Sequence, residues 1–183
     1  WQGVDRWIDA EIAKEFDQQN FWRGHRLIGV DGSCVSMSDT QELQEVFGRT
    51  ESKHGPSRFP VARVMFGFTL NTQVTVNHNI GHYRTSEKSL LKDMLKDFHE
   101  GDLIICDRHF AGANLYVQYI EAGLEFITPL HQRQRIDSLK KVKEHTEDDF
   151  IVELPLTKKH IKENNNLPAQ IVVRLIRVEK KIR

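Results

Sequence analysis

"SEKSLLKDMLKDFHEGDLIICDRHFAGANLYVQYIEAGLEFI", residues 86–127, alternates two kinds of pattern, and their order decides the fold. Thr85 or Ser86 serves as an N-cap with Glu87 in the first turn. Leu90, Leu91, Met94, Leu95 and Phe98 then fall on one helical stripe, and Gly101 closes the helix. "DLIIC" is a short buried strand, "ANLYVQYIEAG" a helix stopped by Gly123, and "LEFITPL" a further strand. Strand, helix, strand in that order is a crossover unit, which makes its two strands parallel.

Upstream, "RLIGVDGSCVSM" (26–37) is apolar and β-branched as far as Asp31 and then alternates, as a central strand carrying one acid does. Gly29 and Gly32 flank that acid and leave room beside it. "TQELQEVFG" (40–48) is a short helical piece, followed by a long polar connection with Gly55, Pro56 and Pro60. "ARVMFGFTL" (62–70) and "QVTVNHNIGHY" (73–83) form a hairpin, giving three antiparallel strands with the first. Residues 1–18 place Trp1, Val4, Ile8, Ile12 and Phe16 at helical spacing. From about residue 132 the character changes to a charged stretch, then "DFIVELPL", an Asn-rich turn and "AQIVVRLIRVE", a β-rich insert. The expected class is α/β: a mixed sheet of three antiparallel strands followed by parallel ones, flanked by helices, with that insert. The divisions are 1–25, 26–131 and 132–183.

Composition excludes several function classes. With 39% hydrophobic and 28% charged residues the 183-residue chain is globular rather than disordered. Lys+Arg and Asp+Glu balance at 26 each, so a polyanion must be met by a local patch such as Arg133, Arg135, Lys140, Lys141 and Lys143. No apolar run approaches the roughly 18 residues of a membrane span. Cys34 and Cys106 have no metal spacing and no secretory signal upstream, and read as reduced, buried residues of a cytoplasmic protein. No Ser-His-Asp order or phosphate-cradling glycine loop is present, which removes nucleotide hydrolysis. His78 and His82 are four apart on a strand, a spacing that gathers metal ligands only on a helix. A chain that begins at Trp1 and ends at Arg183 inside a basic strand-like run reads as part of something longer.

Two acids carry the chemistry. Asp31 lies on the first strand, and Asp107 follows the apolar run of a strand expected beside it. In open α/β sheets ligands bind outside the carboxyl ends of the strands, so both acids can face one cleft. Paired carboxylates without a cation raise one pKa and waste desolvation energy, and a divalent ion removes that penalty. Oxygen donors suit Mg2+ or Mn2+ rather than Zn2+. The plainer alternative stays open at this point: an Asp after a strand is commonly a turn or cap residue. Glu87 likewise reads as a first-turn acid favoured by the helix dipole, with a supporting role near the site as the alternative.

"LIGVDGSCVSMSDT" (27–40), Phe47–Gly48 and above all residues 86–127 resemble the DDE transposases of bacterial insertion sequences, the insertion-sequence-four type in particular. The resemblance covers roughly residues 26–130. It implies a ribonuclease-H-like catalytic domain in which Asp31 and Asp107 match the first two acids of the triad. It also implies Mg2+ (or Mn2+), cleavage at transposon ends in double-stranded DNA, and transfer of the freed 3′-hydroxyl to target DNA by a protein working as a homodimer on paired ends. A β-rich insertion follows the second Asp in that family, as here after residue 132. Two departures stand out. The third acid lies after that insertion in a helical Tyr, Arg, Glu, Lys pattern that nothing here matches; Glu179, in "RVEKKIR", falls where a strand is expected. Without that acid the piece is expected to be inactive alone. Where the family carries a DNA-facing Arg after the next strand, this chain has Thr128 and Pro129, and Arg133 or Arg135 could take over. Arg108, beside Asp107, is by its own chemistry a candidate for a phosphate contact, with a structural salt bridge as the alternative. Two other readings accompany this one: a structure-selective nuclease on the same fold, and a non-catalytic DNA-binding or assembly module.

Overall fold

The computed structural model describes residues 21–53, 55–130, 136, 139–156 and 168–178. The helix expected over residues 1–18, Arg133, Arg135 and Glu179 lie outside them. Two compact units divide the chain: Trp1–Phe110 with Gln118–Pro129, and Ala111–Val117 with Leu130–Arg183.

The first unit is built on a five-stranded mixed sheet in the order β5-β4-β1-β6-β7. Strand β1 (Leu27–Ser36) pairs antiparallel with β4 (Val61–Thr69), which pairs antiparallel with β5 (Thr75–His82). On the other side β1 runs parallel to β6 (Leu103–Ile105), and β6 parallel to β7 (Glu125–Ile127). These are the three antiparallel strands and the crossover pair that the sequence pattern requires, in a ribonuclease-H-like arrangement. The connection from β1 to β4 carries helix α1 (Gln41–Phe47), capped by Thr40, and the two-residue strands β2 (Glu51–Ser52) and β3 (Gly55–Pro56).

Helix α2 (Glu87–Met94) begins at Ser86, whose side chain accepts from the Ser89 N–H, and runs on into a single 3-10 turn over Leu95–Asp97. Its stripe of Leu90, Leu91 and Met94 is buried. Gly67 on β4 makes the close packing possible, because a Cβ there would lie 2.8 Å from the Phe98 ring. From β5, the Asn79 amide donates to Leu90 O and the Asn77 amide to Met94 O, tying the helix to the strand. Helix α3 (Ala113–Glu121) follows β6, and Tyr119 near its end is fully buried, its ring 5.5 Å from that of Phe126.

An ion pair sits where β1 and β6 begin. Arg26 and Asp102 are 5% and 4% exposed, and the guanidinium donates to both carboxylate oxygens, Nε at 3.0 Å and Nη2 at 2.5 Å. The His99 N–H adds a third bond to Asp102 Oδ2 at 2.9 Å, and the Leu103 N–H donates to Arg26 O. Neither charge stands out in the sequence, since each reads as an ordinary flanking residue.

The second unit holds a three-stranded antiparallel sheet, β8 (Lys140–Thr146), β9 (Asp149–Pro155) and β10 (Gln170–Ile176), in the order β10-β9-β8. Phe150, Val152, Leu154 and Ile171 form its buried face. Arg174 grips Asp149 with two hydrogen bonds, and this contact lowers the Asp149 pKa and raises that of Arg174. Part of the charged stretch at the start of the expected β-rich insert is itself strand β8. Its lysines and fully exposed side chains hide the strand from any hydrophobic pattern, and they are what blunts a sheet edge.

One expectation is corrected. Cys106 is buried, but Cys34 is exposed, because β6 pairs with β1 only as far as Gly29 and leaves the second half of β1 covered on one side alone. Burial pushes the Cys106 thiol pKa up, opposed by hydrogen bonds from Thr128 and Tyr119.

Removing one partner of the buried pair, as in Arg26→Ala or Asp102→Ala, is expected to lower unfolding free energy by about 3–5 kcal/mol, with the apolar double change Arg26→Met/Asp102→Leu costing less than either. Urea titrations followed by circular dichroism measure this; a loss under about 1 kcal/mol would place the pair with exposed ones. Iodoacetamide is expected to modify Cys34 in the native protein and Cys106 only after denaturation, read by mass spectrometry of the two peptides; equal native rates would contradict the burial of Cys106.

Candidate active site

The parallel register between β1 and β6 is fixed: Leu27 faces Leu103, Ile28 faces Ile104 and Gly29 faces Ile105, a constant offset of 76. Arg26 and Asp102 share that offset (102 − 26 = 76), as do Asp31 and Asp107 (107 − 31 = 76). The pairing ends at Gly29 and Ile105, and each acid lies two residues further on, Asp31 in the middle of β1 and Asp107 just past the carboxyl end of β6, the end of a parallel strand where α/β sheets place their ligands. Asp31 is exposed, at the point where β1 passes from its buried half, Ile28–Val30, to its exposed half. Asp107 follows β6 directly, as the chain turns into the 3-10 segment Arg108–Phe110.

Local backbone orients both side chains. The Gly32 N–H donates to Asp31 Oδ1 at 2.9 Å, and the His109 N–H donates to Asp107 Oδ1 at 2.7 Å. The Phe110 N–H also donates to Asp107 O, so the turn and cap reading of this acid is realised. It does not compete with ligation, because each carboxylate keeps Oδ2 outside these bonds among the described residues. Thr128, at the end of β7, donates its hydroxyl to Asp107 O at 3.1 Å. The position where the family resemblance leads one to expect a DNA-facing Arg therefore supports the Asp107 turn instead. Phe110 is buried and anchors that turn, its ring edge-on to His109.

Arg108 is exposed and makes no hydrogen bond or ion pair with any described residue, which leaves its guanidinium open to an anion. His78 and His82 lie on β5 as expected. His82 Nδ1 accepts from the Arg84 N–H and its ring lies 4.6 Å from that of Tyr83, so the two histidines do not converge.

Glu87 reaches further than a helix-capping acid. Its Oε1 accepts from Arg63 Nη1 at 2.7 Å, and its Oε2 lies 3.4 Å from His109 Nε2. The same carboxyl fills the space beside Gly32, where an added Cβ would lie 2.5 Å from Glu87 Cδ. The sequence carries one trace of this contact: a glycine inside a strand, next to an acid, marks a close approach.

Among the described residues no group of three or more His, Cys, Asp or Glu gathers in an arrangement that could hold a metal ion. Two aspartates from neighbouring strands are what the site offers, and all their donor atoms are carboxylate oxygens.

A curated protein of Escherichia coli (strain K12), provisionally named as the transposase InsZ, is 24% identical over 122 residues, 64% of this chain and 41% of its own length. The transposase InsG for insertion sequence element IS4, from the same strain, is 21% identical over 162 residues, 87% of this chain and 36% of its own. This chain therefore spans less than half the length of these curated relatives. The sequence profile described as "Transposase DDE domain" matches residues 22–178. With that match running through both acids and over most of the sequence, the chain belongs to the Transposase DDE domain family.

Proposed function

We propose that Asp31 and Asp107 are the first two metal-binding acids of a transposase active site, and that the whole protein cleaves transposon DNA ends and joins them to target DNA. The observation that supports this reading is that each acid follows the last paired residues of β1 and β6, Gly29 and Ile105, by the same two positions. The donor set fits Mg2+ or Mn2+: hard cations take oxygen ligands and are commonly held by one or two protein carboxylates, with substrate phosphate oxygens completing the shell. When bound, the ion supplies charge stabilisation for phosphoryl transfer. Asp31 and Asp107 would hold it through Oδ2, while the Gly32 and His109 N–H groups keep Oδ1 in place.

Arg108 contributes a fork of donors for a DNA phosphate beside the site. Arg133 and Arg135 are further candidates for contact with double-stranded DNA. On the exposed strand β8, Lys140 and Lys141 are paired with Glu153 and Glu144, and Lys143 is the other basic residue there. No residue of this chain matches the third acid, so residues 1–183 alone lack cleavage activity. Residues 132–183 then correspond to the start of the β-rich insertion, 26–131 to the catalytic core and 1–25 to a helical segment before it. The protein acts as a homodimer on paired DNA ends in the bacterial cytoplasm, at the nucleoid. No described helix is long and apolar enough to cross a membrane.

The local hydrogen bonds of both acids also favour a second reading, a non-catalytic DNA-binding or assembly module in which they serve only as turn residues. A crystal of the chain soaked in Mn2+ separates the two. The expected result is one anomalous peak between Asp31 and Asp107, with carboxyl oxygens about 2.0–2.4 Å away, lost in Asp31→Asn and in Asp107→Asn. No peak, together with salt-dependent DNA binding indifferent to both substitutions, would establish the assembly module instead. In the full-length protein, cutting without joining of the 3′-hydroxyl to a second duplex would identify a nuclease.

A further inference from the structure

We infer that Glu87 is the positioning residue of this site, a side chain that holds both acids without ligating the metal. The inference rests on the metal-site reading above and deepens it.

Each acid takes its orientation from one backbone N–H, Gly32 for Asp31 and His109 for Asp107. Glu87 touches both of the residues that supply these groups. Its carboxyl packs on Gly32 so closely that an added Cβ, 2.5 Å from Glu87 Cδ, would displace it, and its Oε2 faces the His109 ring at 3.4 Å. One carboxylate therefore bridges a strand and a turn that lie far apart in sequence. Arg63 on β4 fixes the bridge itself: it donates from Nη1 to Glu87 Oε1, and its Nη2 donates to Tyr83 O at 3.4 Å. Ser86 anchors the other end by capping the helix that starts with Glu87.

Alternation along β1 turns the Asp31 side chain to the face opposite Gly32. Glu87 thus bears on the strand backbone beside Asp31 rather than on its carboxylate, which agrees with the absence of a three-acid cluster among the described residues. Glu87 acts at one remove from the acids, through Gly32 and His109; loss of a residue that orients metal ligands typically lowers metal affinity about 10- to 100-fold. Glu87 is also only 18% exposed, and its partner Arg63 29%, so that pair is partly shielded from the competition with water that makes surface pairs weak, whereas His109 stays largely exposed.

The test uses the 183-residue chain with two readouts, Mn2+ affinity by isothermal titration and exchange of the His109 amide proton by NMR without metal. Glu87→Ala is expected to weaken Mn2+ binding about 10- to 100-fold and to accelerate His109 amide exchange relative to neighbouring amides. Glu87→Gln keeps an acceptor for Arg63 and is expected to restore most of both. Gly32→Ala approaches the same contact from the strand with Glu87 intact, and is expected to reproduce the Ala phenotype. If Glu87→Ala is unfolded, Glu87→Gln and Gly32→Ala decide. Wild-type Mn2+ affinity and wild-type His109 exchange in a folded Glu87→Ala or Gly32→Ala protein would overturn the inference. If the wild-type chain shows no Mn2+ binding sensitive to Asp31→Asn, the metal-site reading fails, and the His109 exchange still decides whether Glu87 holds the turn.

Discussion

The buried pair of Arg26 and Asp102 is the constraint on which the first unit depends. Two charges taken out of water are favourable only when paired and fully hydrogen-bonded, and here the carboxylate receives both guanidinium bonds and a backbone N–H. That requirement makes the pair a lock on register. Sliding β6 by one residue against β1 would part the charges in a place where neither can reach solvent. Apolar contacts between Ile28, Leu103 and Ile104 would tolerate such a slip far better, since burial alone carries little direction. The pair therefore supplies specificity where the hydrophobic contacts supply most of the stability.

From that lock the rest of the site follows in short steps. The five residues after Arg26 and the five after Asp102 end in the two acids. Because β6 is short, Asp31 emerges at the point where its strand loses a neighbour, and a charge within an otherwise apolar segment meets solvent rather than core. The acids are then aimed by main-chain groups instead of by long flexible side chains. Aspartate suits this role, because a side chain with only two torsions loses little freedom when an adjacent N–H holds one oxygen.

Much of this was legible in the sequence, for identifiable reasons. The crossover unit could be read because its apolar runs, the serine cap before it and the glycine after its helix agree; the preceding helix ends at Met94 with a 3-10 turn to Asp97, short of the Gly101 expected to close it. Asp31 and Asp107 could be read because an acid at the end of an apolar strand is conspicuous. Four features were not. Strand β8 lacked any hydrophobic signal, because an exposed edge needs none. The exposure of Cys34 depends on the length of another strand, which its own flanking residues do not encode. The buried pair and the reach of Glu87 are tertiary facts: Arg26, Asp102 and Glu87 each satisfy a local rule at the surface or at a helix start, and only the folded sheet shows that they do something else.

The two five-residue segments also act as rulers. Deleting or inserting one residue within 27–31 or 103–107 would turn an acid to the other side of its strand or move it out of level, so these segments tolerate substitution but not change of length. The connection of residues 48–60 bears no such restriction, because neither end of it measures distance to an acid. Relatives that have drifted far in identity are expected to differ in length there and to keep the spacing from the buried pair to the acids, so spacing outlasts residue identity as the mark of this site.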